Sequence, residues 1–260
     1  MNWSLFPPRT REVQLDEKWA FVEKKQANCD AGEEHCGDCW DHVAFDPEHR
    51  LVLSVVPGKR SLENVRKLLK DFKRRTGNRV MNLITTDEYP AYEGAILETW
   101  GYRVVPLPQY KPGRRALPYR VPPPELTYAM VHKTRQNGRV VMVQCKQVFG
   151  TEQALASALK QSTCSRVVNT AFIERHNGTD RHHNARKARQ TYRFSKDWLV
   201  HVGVTYFTMY SYNFCWPVRT LAKPRAGGNG SPRSPAMAAG LADHVWSIQQ
   251  WITLPAVQAA

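Results

Sequence analysis

Three acidic residues, Asp16, Asp87 and Glu174, could together hold a metal ion, although Glu174 taken alone reads as half of an ordinary Glu–Arg surface pair on a helix. Asp16 falls in the middle of residues 13–23 (VQLDEKWAFVE), which have strand character, and a charge projecting from a sheet needs a partner or a metal. Asp87 ends the run VMNLITT, which reads as a buried strand. It therefore falls at the carboxyl edge, where open α/β sheets usually carry their sites. Glu174 adjoins Arg175 in a run otherwise rich in Arg, Lys, His and Asn. On a helix, Glu174, Gly178, Arg181 and Ala185 share one face, so a carboxylate able to hold a cation would have an arginine below it for a phosphate. A strand middle, a strand end and a helix can deliver three carboxylates to one point. An all-oxygen ligand set of this kind suits Mg²⁺ or Mn²⁺.

Other carboxylates compete for the same role. Glu17 and Glu88 adjoin the first two, but neighbours on a strand point to opposite faces. Asp41, in or beside the next strand, could face the site and is the first reserve; Asp46 also lies there, and Asp180 reads as a surface residue. Cys29, His35, Cys36 and Cys39 place four nitrogen or sulfur donors within eleven residues. The distant second pair of a structural zinc site is absent, and adjacent His35 and Cys36 ligate together awkwardly. A polar loop between two strands is the expected role of that segment.

The charge distribution agrees with a carboxylate site bordered by phosphate-binding surface. Net charge is +14, yet residues 1–58 carry 6 Lys and Arg against 11 Asp and Glu. Residues 59–79 reverse this with 9 against 2, residues 111–146 with 8 against 1, and residues 160–197 with 9 against 3. Such asymmetry suggests a polyanionic partner, nucleic acid first among them. Hydrophobic residues make up 42%, enough for a core, and six cysteines are too few for a disulfide scaffold at this length. No apolar run reaches the length of a membrane span, and the N-terminus lacks a secretory layout, so a cytoplasmic, nucleoid-associated protein is expected.

The elements that must position these residues follow from periodicity. Strands are expected at 13–23, 41–45 and 50–56, then a helix from Ser61 to the Gly77-Asn78 stop. A strand over 80–86, a helix from Pro90 to Trp100 and a short strand at 102–105 come next. Residues 106–124 hold seven prolines and read as irregular; residues 126–149 read as a hairpin turning at Gln136-Asn137-Gly138. Helices are expected at 151–161, 171–192 and 195–214, the last rich in aromatic residues that read as core rather than as base-stacking surface. From Ala222 the sequence reads as a Gly/Pro/Ser-rich linker and a tail with at most one short helix near 245–252. Together these predict a mixed sheet flanked by helices.

The stretches LDEKWAFVEKK, GDCWDHVAFDPEHRLVLSVVPGKRS, ITTDEYPAY and NTAFIERHNGTDRHHNARKARQTYRFSK resemble the DDE transposases of small bacterial insertion sequences, in particular the insertion sequence 1-like group. The resemblance spans roughly residues 13–221, and its most specific part is the Glu174 segment. It implies a ribonuclease H-like α/β catalytic domain over residues 1–221, with residues 106–168 inserted before the last catalytic helix and residues 222–260 as linker and tail. It further implies Asp16, Asp87 and Glu174 as catalytic ligands of two Mg²⁺ or Mn²⁺ ions. DNA phosphates would be held by Arg175, Arg181, Arg186, Lys187, Arg189 and Lys196, with His176 and Asn177 in supporting positions. The implied partner is double-stranded DNA, bound by a homodimer. Such transposases usually carry an N-terminal DNA-binding module, and Asp16 lies too close to Met1 to leave room for one. The expectation is thus a catalytic core, with that module supplied separately. Alternatives in keeping with the same residues are another nuclease of this fold and a non-catalytic DNA-binding remnant.

Overall fold

The computed structural model describes residues 10–106, 117–225 and 228–253. Its centre is a six-stranded mixed sheet built from β1 (Glu12–Val22), β2 (Gly37–Asp46), β3 (Leu51–Gly58), β4 (Leu83–Asp87), β7 (Tyr128–Gln136) and β8 (Arg139–Phe149) in the order β3-β2-β1-β4-β7-β8. The hairpin-linked strands β1, β2 and β3 pair antiparallel, β1, β4 and β7 run parallel, and β8 returns antiparallel to β7. Between them stand α1 (Leu62–Arg75), α2 (Ala91–Trp100) and a two-stranded sheet of β5 (Tyr102–Val104) and β6 (Tyr119–Val121). After β8 come α3 (Glu152–Gln161), α4 (Ala171–His183) and α5 (Trp198–Cys215). Small elements β9 (Lys223–Arg225), β10 (Gly228–Ser231), α6 (Pro235–Ala238) and α7 (Ile248–Thr253) follow.

Two apolar layers sandwich the sheet. On one face Val65, Leu68, Leu69 and Phe72 of α1 and Tyr92, Ala95 and Ile96 of α2 pack with Val13 and Leu15 of β1. On the other, Ile173 of α4 and Met209 and Tyr212 of α5 meet Val43, Phe45, Val52 and Val55. The period of two in β1 explains the division: Val13, Leu15 and Glu17 turn toward α1 and α2, and Gln14, Asp16 and Lys18 toward α4. Local signals set several boundaries. Ser61 caps α1 by accepting from the Asn64 N–H at 3.3 Å, and Thr151 caps α3 from Ala154 at 3.1 Å. Asn137 (φ 50°) and Gly138 (φ 77°) form the β7–β8 turn in the left-handed region, which suits a two-residue hairpin.

Several features differ from expectation. The fourth strand begins at Leu83 rather than at residue 80, because Asn82 and Leu83 donate to Arg11 O from a bend. Helix α4 stops at His183, with the Asn184 N–H closing on Asp180 O at 2.8 Å, so Ala185 leaves the face of Glu174 and Arg181. In α5 the core assignment holds for Tyr212 and Phe214, but Tyr206 (39% exposed) and Phe207 (42%) face outward. The segment after Ala222 packs on the body: Ala236 and Ala239 are buried, and Trp246 and Trp251 stack on Phe214 at 4.5 and 5.3 Å. Within the proline-rich stretch, residues 107–116 lie outside the described residues. Among the described residues no helix is long and apolar enough to cross a membrane.

Candidate metal centre

Strand β1 and helix α4 are stitched together along one line. Gln14 donates to Asn169 O at 2.7 Å and accepts from the Ile173 N–H at 3.0 Å, which fixes the first turn of α4 against the strand. Two residues on, Asp16 Oδ2 accepts from Asn177 Nδ2 at 2.7 Å, while its Oδ1 accepts from the Glu17 N–H at 2.9 Å. Two further on, buried Lys18 pairs with Asp180. Strand spacing on one side thus meets helix spacing of three to four residues on the other.

Asp87 reaches the same place through the parallel register of β4, in which Leu15 lies beside Thr86, so Asp16 and Asp87 are lateral neighbours. Helix α4 adds Glu174 one turn before Asn177. All three carboxylates line a cleft of about 580 Å³ together with Lys133, Arg135, Asn177, Arg181 and Arg189. Within it the tightest group is Asp16, Glu17 and Asp87, with one oxygen from each lying within 4.8 Å of the others. Glu174 stands apart from that group. Its Oε1 accepts from Thr170 Oγ1 at 2.5 Å and pairs with Lys133, and its side chain is 48% exposed.

The inclusion of Glu17 corrects the expectation from strand alternation. Its side chain does leave β1 on the α2 side, where it accepts from Arg60 Nε at 2.9 Å and from the Tyr92 hydroxyl at 3.0 Å. Because β4 ends at Asp87, no strand among the described residues separates the two faces beyond that point, and the carboxylate comes round to its neighbours. Glu88, the other neighbour, is exposed, lines the cleft and pairs with His132.

Crowding alters the acidity of the group. Burial, with the charges of Asp87 and Glu17 beside it, pushes the Asp16 carboxyl up to about 7. Burial raises Asp87, opposed by Arg60 and Lys133, and burial with Asp87 raises Glu17. Around the carboxylates, half-buried Arg181 is shifted down by burial and by neighbouring Arg189. The cleft is therefore a set of mutually repelling carboxylates with cations at its rim.

Of the other expected site residues Asn177, Arg181 and Arg189 line the cleft, and the rest do not. Asp41, the reserve ligand, is fully buried and bound to Lys187 at 2.6 Å and Lys18 at 3.2 Å, which hold its carboxyl low against the cost of burial. Asp180 is buried rather than on the surface, where Lys18 and Lys187 likewise hold it low and Thr208 Oγ1 donates to it at 3.1 Å. Lys187, expected to hold DNA, is also buried, because the chain turns inward after α4 and seats the ammonium between Asp41 and Thr205. Arg186, Arg189 and Lys196 are exposed, and so is Arg175, although Arg175 lines a separate cavity with Phe172 and Arg50. His176 turns from the cleft to lie between Phe45 and Tyr212, and burial pushes it down to about 3. Lys133 and Arg135 were not singled out from the sequence; they lie in β7 beyond Val131, the last residue paired with β4.

The cysteine segment forms the loop expected between β1 and β2, yet its donors group differently. Cys29 and Cys36 have their sulfurs 3.0 Å apart and Glu33 beside them, while Cys39 is buried in β2 and His35 lies toward Trp198. The chain matches no protein-family model and has no significant match among curated proteins.

Proposed function

We propose that this chain is the catalytic core of a DNA transposase, cutting and rejoining phosphodiester bonds with two bound Mg²⁺ or Mn²⁺ ions. The observation that carries the reading is the convergence of Asp16, Asp87 and Glu174 on one cleft with cations at its rim. The six-strand mixed sheet with helices on both faces is compatible with a ribonuclease H-like fold.

The residues fit divalent ions. Every acidic donor is an oxygen, as hard cations require, and a cation would relieve the repulsion that raises Asp16. Asn177 Oδ1 is a buried oxygen without a hydrogen-bond partner among the described residues, next to Asp16. Glu174 is a better third ligand than Glu17. Both oxygens of Glu17 are occupied by Arg60 and Tyr92, whereas only Oε1 of Glu174 is hydrogen-bonded among the described residues. Bound ions would supply activation of a water or a DNA 3′-hydroxyl and stabilisation of the leaving oxygen.

The chain's own residues do the rest. Asn177 orients Asp16, and Thr170 orients Glu174. Lys133, Arg135, Arg181 and Arg189 offer charge to the phosphates that flank the scissile bond of double-stranded DNA. Lys133 must exchange Glu174 for a phosphate as substrate enters. A homodimer would hold two element ends together. The test is nicking of supercoiled DNA and strand joining by the purified chain with Mn²⁺. Asp16→Asn, Asp87→Asn and Glu174→Gln should each abolish both products. Unchanged nicking in all three variants would overturn the reading, and cleavage without joined product would point to a nuclease instead.

A further inference from the structure

A second groove opens from the cleft along the side of β1 that β4 leaves uncovered. Strand β4 ends beside Asp16, but β1 continues to Val22. The chain after α4 runs back beside this free stretch, and the Glu23 N–H donates to Ser195 O at 2.7 Å where the two meet. A cavity of about 700 Å³ lies between them. Its floor carries Trp19 and Phe21, with ring centroids 5.7 Å apart, and Phe194 stands 4.9 Å from Phe21. Arg181, Arg186 and Arg189 line the same cavity, and Arg181 and Arg189 also line the carboxylate cleft.

Two features make this a receptor rather than incidental surface. Trp19 is 38% exposed and Tyr192, at the cavity wall, 97% exposed, so part of the aromatic surface stands in water, while Lys196 Nζ lies 3.7 Å from the Phe194 ring centroid and adds a further cation to the groove. The three arginines form no ion pair among the described residues, and Arg189 disfavours the charge on Arg181. Aromatic rings beside unpaired arginines match a nucleotide with its base unstacked: a π-face for the rings and phosphates for the guanidiniums. A base inside a duplex hides both faces in the stack. The volume lies within the range of small-molecule pockets, ~300–1,000 Å³, which suits a nucleotide and not a helix.

We propose that the Trp19–Phe21–Phe194 groove binds unpaired nucleotides of the DNA strand whose backbone enters the carboxylate cleft. The proposal rests on the DNA-processing reading of that cleft, and Arg181 and Arg189 carry the strand from one to the other. Substrates with a frayed or single-stranded end next to the scissile phosphate are then preferred to continuous duplex.

The test is equilibrium binding of the full chain, without divalent ion, to a blunt duplex and to the same duplex with a short unpaired DNA end carrying 2-aminopurine. The unpaired end should tighten binding by about tenfold, in keeping with stacking of one base, and quench the 2-aminopurine. Trp19→Ala should remove the preference while keeping affinity for blunt duplex; Trp19→Phe should retain most of it. Phe194→Ala provides an independent variant should Trp19→Ala not fold. Equal affinity for blunt and unpaired ends overturns the proposal, as does a preference that survives in folded Trp19→Ala and Phe194→Ala proteins. Tighter binding of an unpaired RNA end than a DNA end overturns the assignment to DNA. Because cleavage is not measured, loss of the transposase reading through the Asp16, Asp87 and Glu174 variants is a separate result.

Discussion

Lys187 Nζ donates to Asp41 Oδ2 at 2.6 Å, joining the segment after α4 to the middle of β2 in the interior of the protein. Lys18 shares the same oxygen at 3.2 Å and also pairs with Asp180, so two lysines and two aspartates neutralise one another beneath the cleft. A basic residue in a basic stretch is here a structural tie. Removing one member leaves a buried charge without its partner, which costs about 3–5 kcal/mol. Lys187→Met should therefore lower unfolding free energy by roughly that amount, measured by urea denaturation. Arg189→Ala should leave stability within about 0.5 kcal/mol, as for an exposed residue. It should also lower the salt dependence of DNA binding by about one counterion. Equal stability losses in the two variants would contradict this division.

The same contrast shows what could be read from the sequence. Apolar runs bounded by turn residues located β1 to β4, the Ser61 cap located the start of α1, and Asn137-Gly138 located the hairpin, because each of these signals is local. Asp16, Asp87 and Glu174 were identifiable as occupants of one cleft from motif and strand position. Lys187 and Asp180 were not identifiable as buried, since a charge's burial depends on partners 146 and 162 residues away. Glu17 was misplaced for a different reason: alternation gives the face of departure, but where a neighbouring strand ends a long side chain can reach the other face. The aromatic groove escaped notice because its rings come from segments about 170 residues apart.

The Asp16 carboxyl predicts how stability responds to pH. Its value of about 7 in the folded chain stands well above the ordinary carboxylate value near 4 that an unfolded chain retains. Between those limits the native state keeps a proton that the unfolded state has released. Stability without divalent ions should thus fall as pH rises from about 4 to about 7. Asp16→Asn should flatten that decline, which isolates Asp16 from the histidines that titrate over part of the same range. Mn²⁺ should raise the midpoint of thermal unfolding more at pH 8 than at pH 5, because only the ionised group is a ligand. An equal Mn²⁺ effect at both values would exclude Asp16 as a ligand.

Lys133 predicts competition between an internal cation and an added one. Its ammonium pairs with Glu174 at the cleft mouth, where the side chains are 25% and 48% exposed. A pair this open to solvent contributes up to about 1 kcal/mol, equivalent to roughly fivefold in affinity. Lys133→Met should tighten Mn²⁺ binding by up to that factor in calorimetric titration while weakening DNA binding. Weaker Mn²⁺ binding in Lys133→Met would show that Glu174 does not take part in ligation.

The choice between Glu17 and Glu174 as third ligand yields the sharpest comparison, because the two carboxylates differ in what already holds them. Glu17 is 7% exposed and fixed by Arg60 and Tyr92, so Glu17→Gln disturbs a charge-assisted contact in the interior. It should cost about 1–3 kcal/mol of stability. It should leave two Mn²⁺ ions bound per chain. Glu174 projects from a helix into solvent, and Glu174→Gln should change stability by no more than about 0.5 kcal/mol. It should weaken one of the two ions by tenfold or more, the scale reached when a ligand's supporting contacts are lost. Unfolding curves and Mn²⁺ titrations on both variants separate the outcomes. If Glu17→Gln loses the ion and Glu174→Gln keeps it, the tight Asp16–Glu17–Asp87 group is the metal site and Glu174 belongs with the phosphate-binding rim.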